Sequence, residues 1–244
     1  MSEWFKEIAS GSELPAHDVR ELLDLGFIVI PGPVSSERLA QFSRAYDLAV
    51  ADAVPPDLSV GGTTTRVHDF VNRGPVFDEL YVYRPVLEGC YHIIGQPFKL
   101  SSLLARTVRP GSQAQPLHVD FQADADGWPM VGFIFMVDDF RVDNGATRFV
   151  PGSHRLPAIP DQVLKDPSSD DGCEVLACGA AGSVILYNGS VWHGHTANQS
   201  GEPRRSIQGA YIRREAESWD NWAARLLPQT HARISPLAEY LLDV

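Results

Sequence analysis

From about residue 97 onward the chain becomes a succession of short β-like runs, each ended by a turn signal, and nothing else constrains its fold as strongly. The runs are residues 99–108, 131–137, 147–150, 174–177, 183–187 and 206–212. Between them lie Arg109-Pro110-Gly111, Asp143-Asn144-Gly145, Pro151-Gly152 and Ala181-Gly182. Asn-Gly favours positive φ and a tight turn, and proline removes the amide that would extend a ladder. Many short strands punctuated in this way form a sandwich or a jelly roll.

The flanks read differently. Residues 16–25 pattern as a short amphipathic helix ending at Gly26, and Phe27-Ile28-Val29-Ile30 as a buried strand closed by Pro31-Gly32-Pro33. A helix capped by Ser35 or Ser36 is expected to about Ala53, with a Pro/Gly/Thr-rich loop over residues 54–64. Another helix is expected over residues 76–95, divided by Pro85. The tail returns to helix, with Trp219, Trp222, Leu226 and Leu227 as an apolar stripe. No internal repeat or low-complexity linker interrupts the chain. The expectation is one mainly-β domain with flanking helices, a double-stranded β-helix of cupin-like form. It divides into a helical region at about 1–96, a jelly-roll core at about 97–213 and C-terminal helices at about 214–244. A length of 244 residues suits a single domain of this kind.

Charge and cysteine usage narrow the partners. The formal net charge is -11, which disfavours nucleic acid or an anionic membrane as the main partner while leaving room for a basic pocket. The three cysteines, Cys90, Cys173 and Cys178, are sparse and unpatterned, as in a reducing compartment without a disulfide framework. No stretch approaches the roughly 18 apolar residues of a membrane span, and the N-terminus lacks a basic segment followed by an apolar one. The expected setting is the cytoplasm and the expected partner a small molecule. The oligomeric state is not legible.

His118 and Asp120 form a His-x-Asp pair, and Trp192-His193 follows far downstream. Residues i and i+2 of an extended segment point to the same side, so His118 and Asp120 can grip one metal from one short strand. A histidine from a second strand folded over the first completes two nitrogens and one carboxylate, the facial triad that leaves octahedral positions on iron open. The chain has eight histidines, and a lone one is more often a surface or core residue than a ligand. Context favours this pair: Pro110-Gly111 precedes it, and a strongly apolar run follows.

Leu117-His118-Val119-Asp120, Asp143-Asn144-Gly145-Ala146-Thr147, Val150-Pro151-Gly152-Ser153-His154 and Trp192-His193 with Asn198 and Arg204 resemble the phytanoyl-CoA dioxygenase family. The opening segment from Asp24 to Gly32 is similar as well. The family comprises iron(II)- and 2-oxoglutarate-dependent oxygenases on a double-stranded β-helix. The resemblance implies His118, Asp120 and His193 as iron ligands, with His195 as the competing distal ligand or a pocket residue. It implies Arg204 as the clamp for the far carboxylate of 2-oxoglutarate, with Thr147 and Gln115 as further polar contacts. A guanidinium suits that role because its planar fork matches a carboxylate. With O2 as second cosubstrate, the implied reaction oxidises an unactivated C–H and releases succinate and CO2. A carboxylate ligand favours hydroxylation or a related oxidation over halogenation.

Phe121, Gln122 and Trp128 follow the metal motif and are candidates for the pocket wall, as are Arg66 and His68. Each reads equally well as an ordinary loop or core residue. Arg205, Asp124, Asp126 and His154 read as surface or scaffold. Two other classes stay open: a cupin-like metal enzyme that does not use 2-oxoglutarate, and a non-catalytic binding protein on the same fold. The sequence carries no lysine and arginine cluster suited to CoA phosphates, so a small free metabolite is the expected substrate.

Overall fold

Every residue of Met130–Met136 is buried, which requires a strand covered on both faces. The computed structural model describes residues 3–168 and 172–244 and places this strand near the middle of a large sheet. In chain order the strands are β1 (Phe27–Pro31), β2 (Leu58–Val60), β3 (Thr64–Val67), β4 (Phe98–Val108), β5 (Met130–Met136), β6 (Thr147–Phe149), β7 (Val175–Ala177), β8 (Ser183–Asn188), β9 (His193–His195) and β10 (Arg204–Arg213). Seven form one sheet in the order β1-β8-β5-β10-β4-β3-β2, and the other three form a small sheet in the order β7-β6-β9. All pairings are antiparallel. The two sheets form the expected jelly roll.

The large sheet has two different faces. Its outer face carries Leu100, Leu103, Phe133, Phe135, Ile207 and Tyr211 into the larger core, shared with the helices. The helix Arg84–Ile94 presses Val86, Leu87, Cys90, Ile93 and Ile94 into that core. It begins with Pro85 in its first turn, where the missing amide costs nothing, and ends at Gly95 in the left-handed region at φ 65°. The inner face meets the small sheet through a second core in which Phe27 stacks on Phe149 at 4.2 Å. Side chains that point inward from the more open end of this face line the site.

Several expectations need correction. The first 96 residues are not only helical: β1, β2 and β3 extend the large sheet from both edges. Residues 54–64 hold β2, because β3 offers an unpaired edge beside the Pro/Gly-rich turn. The helix after β1 starts at Leu39 rather than at Ser35 or Ser36, with no side-chain cap. The expected break at Pro85 appears as two helices, Asp78–Tyr81 and Arg84–Ile94. In the tail, Trp222 is buried and donates to the Leu100 carbonyl at 2.9 Å, while Trp219 is 79% exposed and outside any helix. The apolar stripe is therefore split between core and surface.

Candidate active site

Ring nitrogens of His118 and His193 and a carboxylate oxygen of Asp120 all lie within 4.8 Å of one another. Nε2 of His118 is 3.8 Å from Oδ1 of Asp120, and Nε2 of His193 is 3.6 Å from Oδ2. His118 and Asp120 are not on a regular strand, as the spacing suggested. His118 makes an isolated antiparallel bridge to His193, exchanging both backbone bonds at 2.9 and 3.0 Å. Pro116 and the turn after Asp120 prevent a longer ladder, and one bridge suffices to set the two segments side by side.

The surroundings fix how each group faces the shared centre. Nδ1 of His118 sits 3.1 Å from the Pro116 carbonyl, and Nδ1 of His193 sits 2.9 Å from the Val191 carbonyl. A carbonyl can only accept, so each Nδ1 carries a proton, and Nε2 is the nitrogen of each ring left to face the shared centre. The Tyr187 hydroxyl donates to Oδ2 of Asp120 at 2.8 Å and orients the carboxylate. Burial, and then the neighbouring His193, push the His118 pKa down, with Asp120 opposing them. Two imidazoles and a carboxylate, each held from behind, fit a divalent metal of the iron group.

A cavity of about 280 Å³ opens from this cluster between the sheets. Arg204, at the start of β10, faces it from below and is 1% exposed. Its guanidinium lies 4.1 Å above the Phe140 ring, and its Nε and Nη1 have no hydrogen-bond partner. Burial first, and Arg106 second, pull the Arg204 pKa below its ordinary value. A buried cation with unpaired donors is costly unless an anion meets it. The unpaired donors of Arg204 therefore face the cavity in a state that an anion such as a carboxylate could satisfy. Arg205, its neighbour, points to the opposite face and pairs with Asp138 at 2.6 Å and Asp47 at 2.7 Å.

The cavity wall gathers most of the remaining candidates. Thr147, Gln115, His195, Arg66, His68 and Phe121 all line it. His195 is buried with Nε2 unpartnered, but its Nδ1 faces the Thr196 carbonyl at 2.8 Å and it stands outside the triad cluster. Gln122 does not reach the cavity: it lines a separate small cleft with Val119 and His154, because the chain bends at Asp120 and Phe121 and leaves extended structure, so the i, i+2 relation to Asp120 is lost. Trp128 also turns away and donates to the His154 carbonyl at 3.2 Å. His154 itself packs against Trp128 and faces the Leu23 carbonyl at 3.2 Å, a scaffold position.

Two site residues escaped the sequence reading. Tyr187 is the polar-tipped residue of an apolar strand, and the facing Gly132 admits its ring: a Cβ there would stand 2.2 Å from Cζ of Tyr187. Arg106 is a charge inside the apolar strand β4, which was the signal available. Its Nη2 donates to Oε1 of Gln115 at 2.6 Å, and Nε2 of Gln115 lies 3.4 Å from Nε2 of His118.

A model of the phytanoyl-CoA dioxygenase family matches residues 23–206. The multifunctional dioxygenase prhA of Penicillium brasilianum is 30% identical over 78% of this chain and 69% of its own length. The multifunctional dioxygenase ausE of Emericella nidulans is 28% identical over 85% of this chain and 78% of its own. Among solved structures, HygX from Streptomyces hygroscopicus, crystallised with nickel, 2-oxoglutarate and hygromycin B, superposes with a TM-score of 0.69. It is 21% identical, covering 85% of this chain and 90% of HygX. The non-heme α-ketoglutarate-dependent carbocyclase SnoK from nogalamycin biosynthesis gives 0.70 at 19% identity, covering 89% and 93%. These structures share the fold, the family match spans both halves of the His-Asp-His cluster, and the chain is an oxidoreductase that belongs to the phytanoyl-CoA dioxygenase family.

Proposed function

We propose that this protein is an iron(II)- and 2-oxoglutarate-dependent dioxygenase that oxidises an unactivated C–H bond of a small-molecule metabolite, releasing succinate and CO2. The observation that carries the reading is the pairing of two elements in one cavity: the cluster His118, Asp120 and His193, and the buried guanidinium of Arg204 with unpaired Nε and Nη1. One can hold a divalent metal and the other the far end of a dicarboxylate. HygX holds nickel and 2-oxoglutarate on the same fold, which supports the reading.

Iron(II) with 2-oxoglutarate supplies the activation of O2 that a C–H oxidation requires. The chain's own residues do the rest. His118 and His193 turn Nε2 toward the shared centre because the backbone engages Nδ1 of each ring. Tyr187 holds the Asp120 carboxylate by one oxygen. Arg204 holds and orients the cosubstrate's distal carboxylate, with Thr147 and Gln115 as polar neighbours on the same wall. Leu104, Met130 and Ile134 give the cavity an apolar side that limits water and receives the substrate's hydrocarbon.

Anaerobic addition of iron(II) and then 2-oxoglutarate tests the reading without a known substrate. A visible charge-transfer absorption that needs both additions is the expected result, followed by slow succinate release on admitting oxygen. A chain that binds metal but neither takes up nor decarboxylates 2-oxoglutarate would belong to the cupin-like enzymes that do without it.

A further inference from the structure

Trp219 is the most exposed of the large apolar side chains described, at 79%. The chain that carries it is nonetheless anchored. The Trp219 amide donates to the Ser101 hydroxyl at 2.9 Å, and the Asp220 amide to the Ser101 carbonyl at 2.8 Å. Just beyond, the buried indole of Trp222 donates to the Leu100 carbonyl. The segment is thus pinned to β4 at Trp219 and after it, while the Trp219 ring is left outside the core. Burying an aromatic ring is among the largest favourable terms in folding, and this ring forgoes it.

Its position is specific. Trp219 lines the cavity of the metal cluster, and so does Phe121, which is 50% exposed. Side chains that line a cavity and also face solvent mark its mouth. Phe121 directly follows Asp120, and its loop is tied to the end of β10, where Nη1 of Arg213 donates to Oδ2 of Asp124 at 2.6 Å. The segment bearing Trp219 leaves from that same strand end, so both rings are set on one rim. Deeper in, Leu104, Met130, Ile134 and Ile212 continue the apolar wall. Glu215 and Glu217, exposed on the Trp219 segment, disfavour an anion outside the mouth.

The cavity of about 280 Å³ falls below the roughly 300–1,000 Å³ of pockets that enclose one small ligand, and 2-oxoglutarate takes part of it. A substrate can therefore seat only its reacting end inside. We infer that Trp219 sets specificity by touching the substrate: an uncharged, rigid ring framework lies on its indole at the mouth, with Phe121 beside it, while the carbon to be oxidised reaches in toward the metal cluster. The inference rests on the dioxygenase reading and names the substrate class for that same site. A rigid framework is favoured over a flexible chain because an anchored indole and a fixed ring meet with little rotamer freedom to lose.

The test uses full-length protein loaded with nickel(II) and saturating 2-oxoglutarate. Decalinol (a saturated fused-ring alcohol), the open-chain alcohol decanol and the anion decalin carboxylate are titrated in, followed by calorimetry and tryptophan fluorescence. The expected result is that decalinol binds about tenfold more tightly than either of the others and shifts the emission to the blue as the exposed indole is covered. Trp219→Ala should remove that preference, and Trp219→Phe should keep much of the binding while losing the blue shift. Melting temperature and the affinities for nickel(II) and 2-oxoglutarate should not change in either variant, because the ring lies outside the core. Decalinol binding that is undetectable, or unaffected by Trp219→Ala, would overturn the inference while leaving the dioxygenase reading intact. Decanol or the carboxylate binding as tightly as decalinol would overturn it as well. Failure of the unaltered protein to take up 2-oxoglutarate at all would sink the underlying reading, and this inference with it.

Discussion

The hydroxyl of Tyr187 and the carboxylate of Asp120 meet at 2.8 Å, on the carboxylate oxygen that also lies 3.6 Å from Nε2 of His193. Tyr187 thus holds one oxygen of the Asp120 carboxylate from behind the cluster. Burial and the adjacent carboxylate raise its pKa well above the ordinary value, so it stays a donor throughout the working range. Outer partners of this kind are worth roughly 10–100-fold in metal affinity. Tyr187→Phe is expected to weaken iron(II) or nickel(II) binding by about tenfold in a competition titration with a chelator, with melting temperature little changed. Unaltered affinity would show that the backbone alone orients Asp120.

Asp120→Ala removes the cluster's anion and frees a partly exposed position, so the fold is expected to survive. Metal retention after dialysis should fall to background, and 2-oxoglutarate turnover with it. Full retention would remove Asp120 from the metal centre.

The two downstream histidines separate cleanly. His193 meets both His118 and Asp120, whereas His195 stands outside the cluster. His193→Ala is expected to abolish metal binding, while His195→Ala keeps metal at near-native affinity and loses part of its turnover. The opposite pattern in a metal titration would exchange their assignments.

Arg204→Ala takes away a charge-assisted contact worth about 1.5–3 kcal/mol, which is roughly 10–100-fold in affinity. The 2-oxoglutarate requirement should rise by that factor in anaerobic titrations, with metal affinity unchanged. An equal loss of both would mean that the substitution had disturbed the fold.

Asp220 offers a pH-dependent check on the scaffold. Burial first, with Asp69 and Asp57 adding to it and Arg225 opposing, pushes its carboxyl up to about 6. Its Oδ2 has no partner. The folded state therefore holds the proton more tightly than the unfolded chain, and stability falls as pH rises through that window. Asp220→Asn should stabilise the protein at neutral pH by about 1 kcal/mol, after discounting for solvent screening. The gain should vanish near pH 4. Melting curves across pH 4–8 would show it, and a constant difference between variants would refute the assignment.

The metal cluster was legible because its residue types are scarce in combination and stand at fixed offsets: His118 and Asp120 two apart, His193 after a clear turn, strand and turn. The strands from β4 to β10 were legible because glycine and proline separate them. β2 and β3 were hidden, since such short strands carry little apolar pattern and exist through pairing, β3 with β4 and the edge strand β2 with β3. Gln122 and Trp128 were misplaced because proximity in sequence to Asp120 says nothing of direction once the chain leaves regular structure. Tyr187 and Arg106 were missed for a related reason. Each looks like one more residue of a buried strand, and its meaning comes from register: Tyr187 opposite Gly132, Arg106 opposite Arg66.

The reciprocal backbone bridge between His118 and His193 joins the two halves of the cluster through amides rather than through an ion. Gly194 lets the strands close: a Cβ there would stand 2.8 Å from the Gln115 carbonyl oxygen. The cradle is consequently assembled by folding itself, before any cation arrives. Stripping and reloading should be a docking event, complete without denaturant or refolding, and one transition metal should exchange for another while the polypeptide stands still.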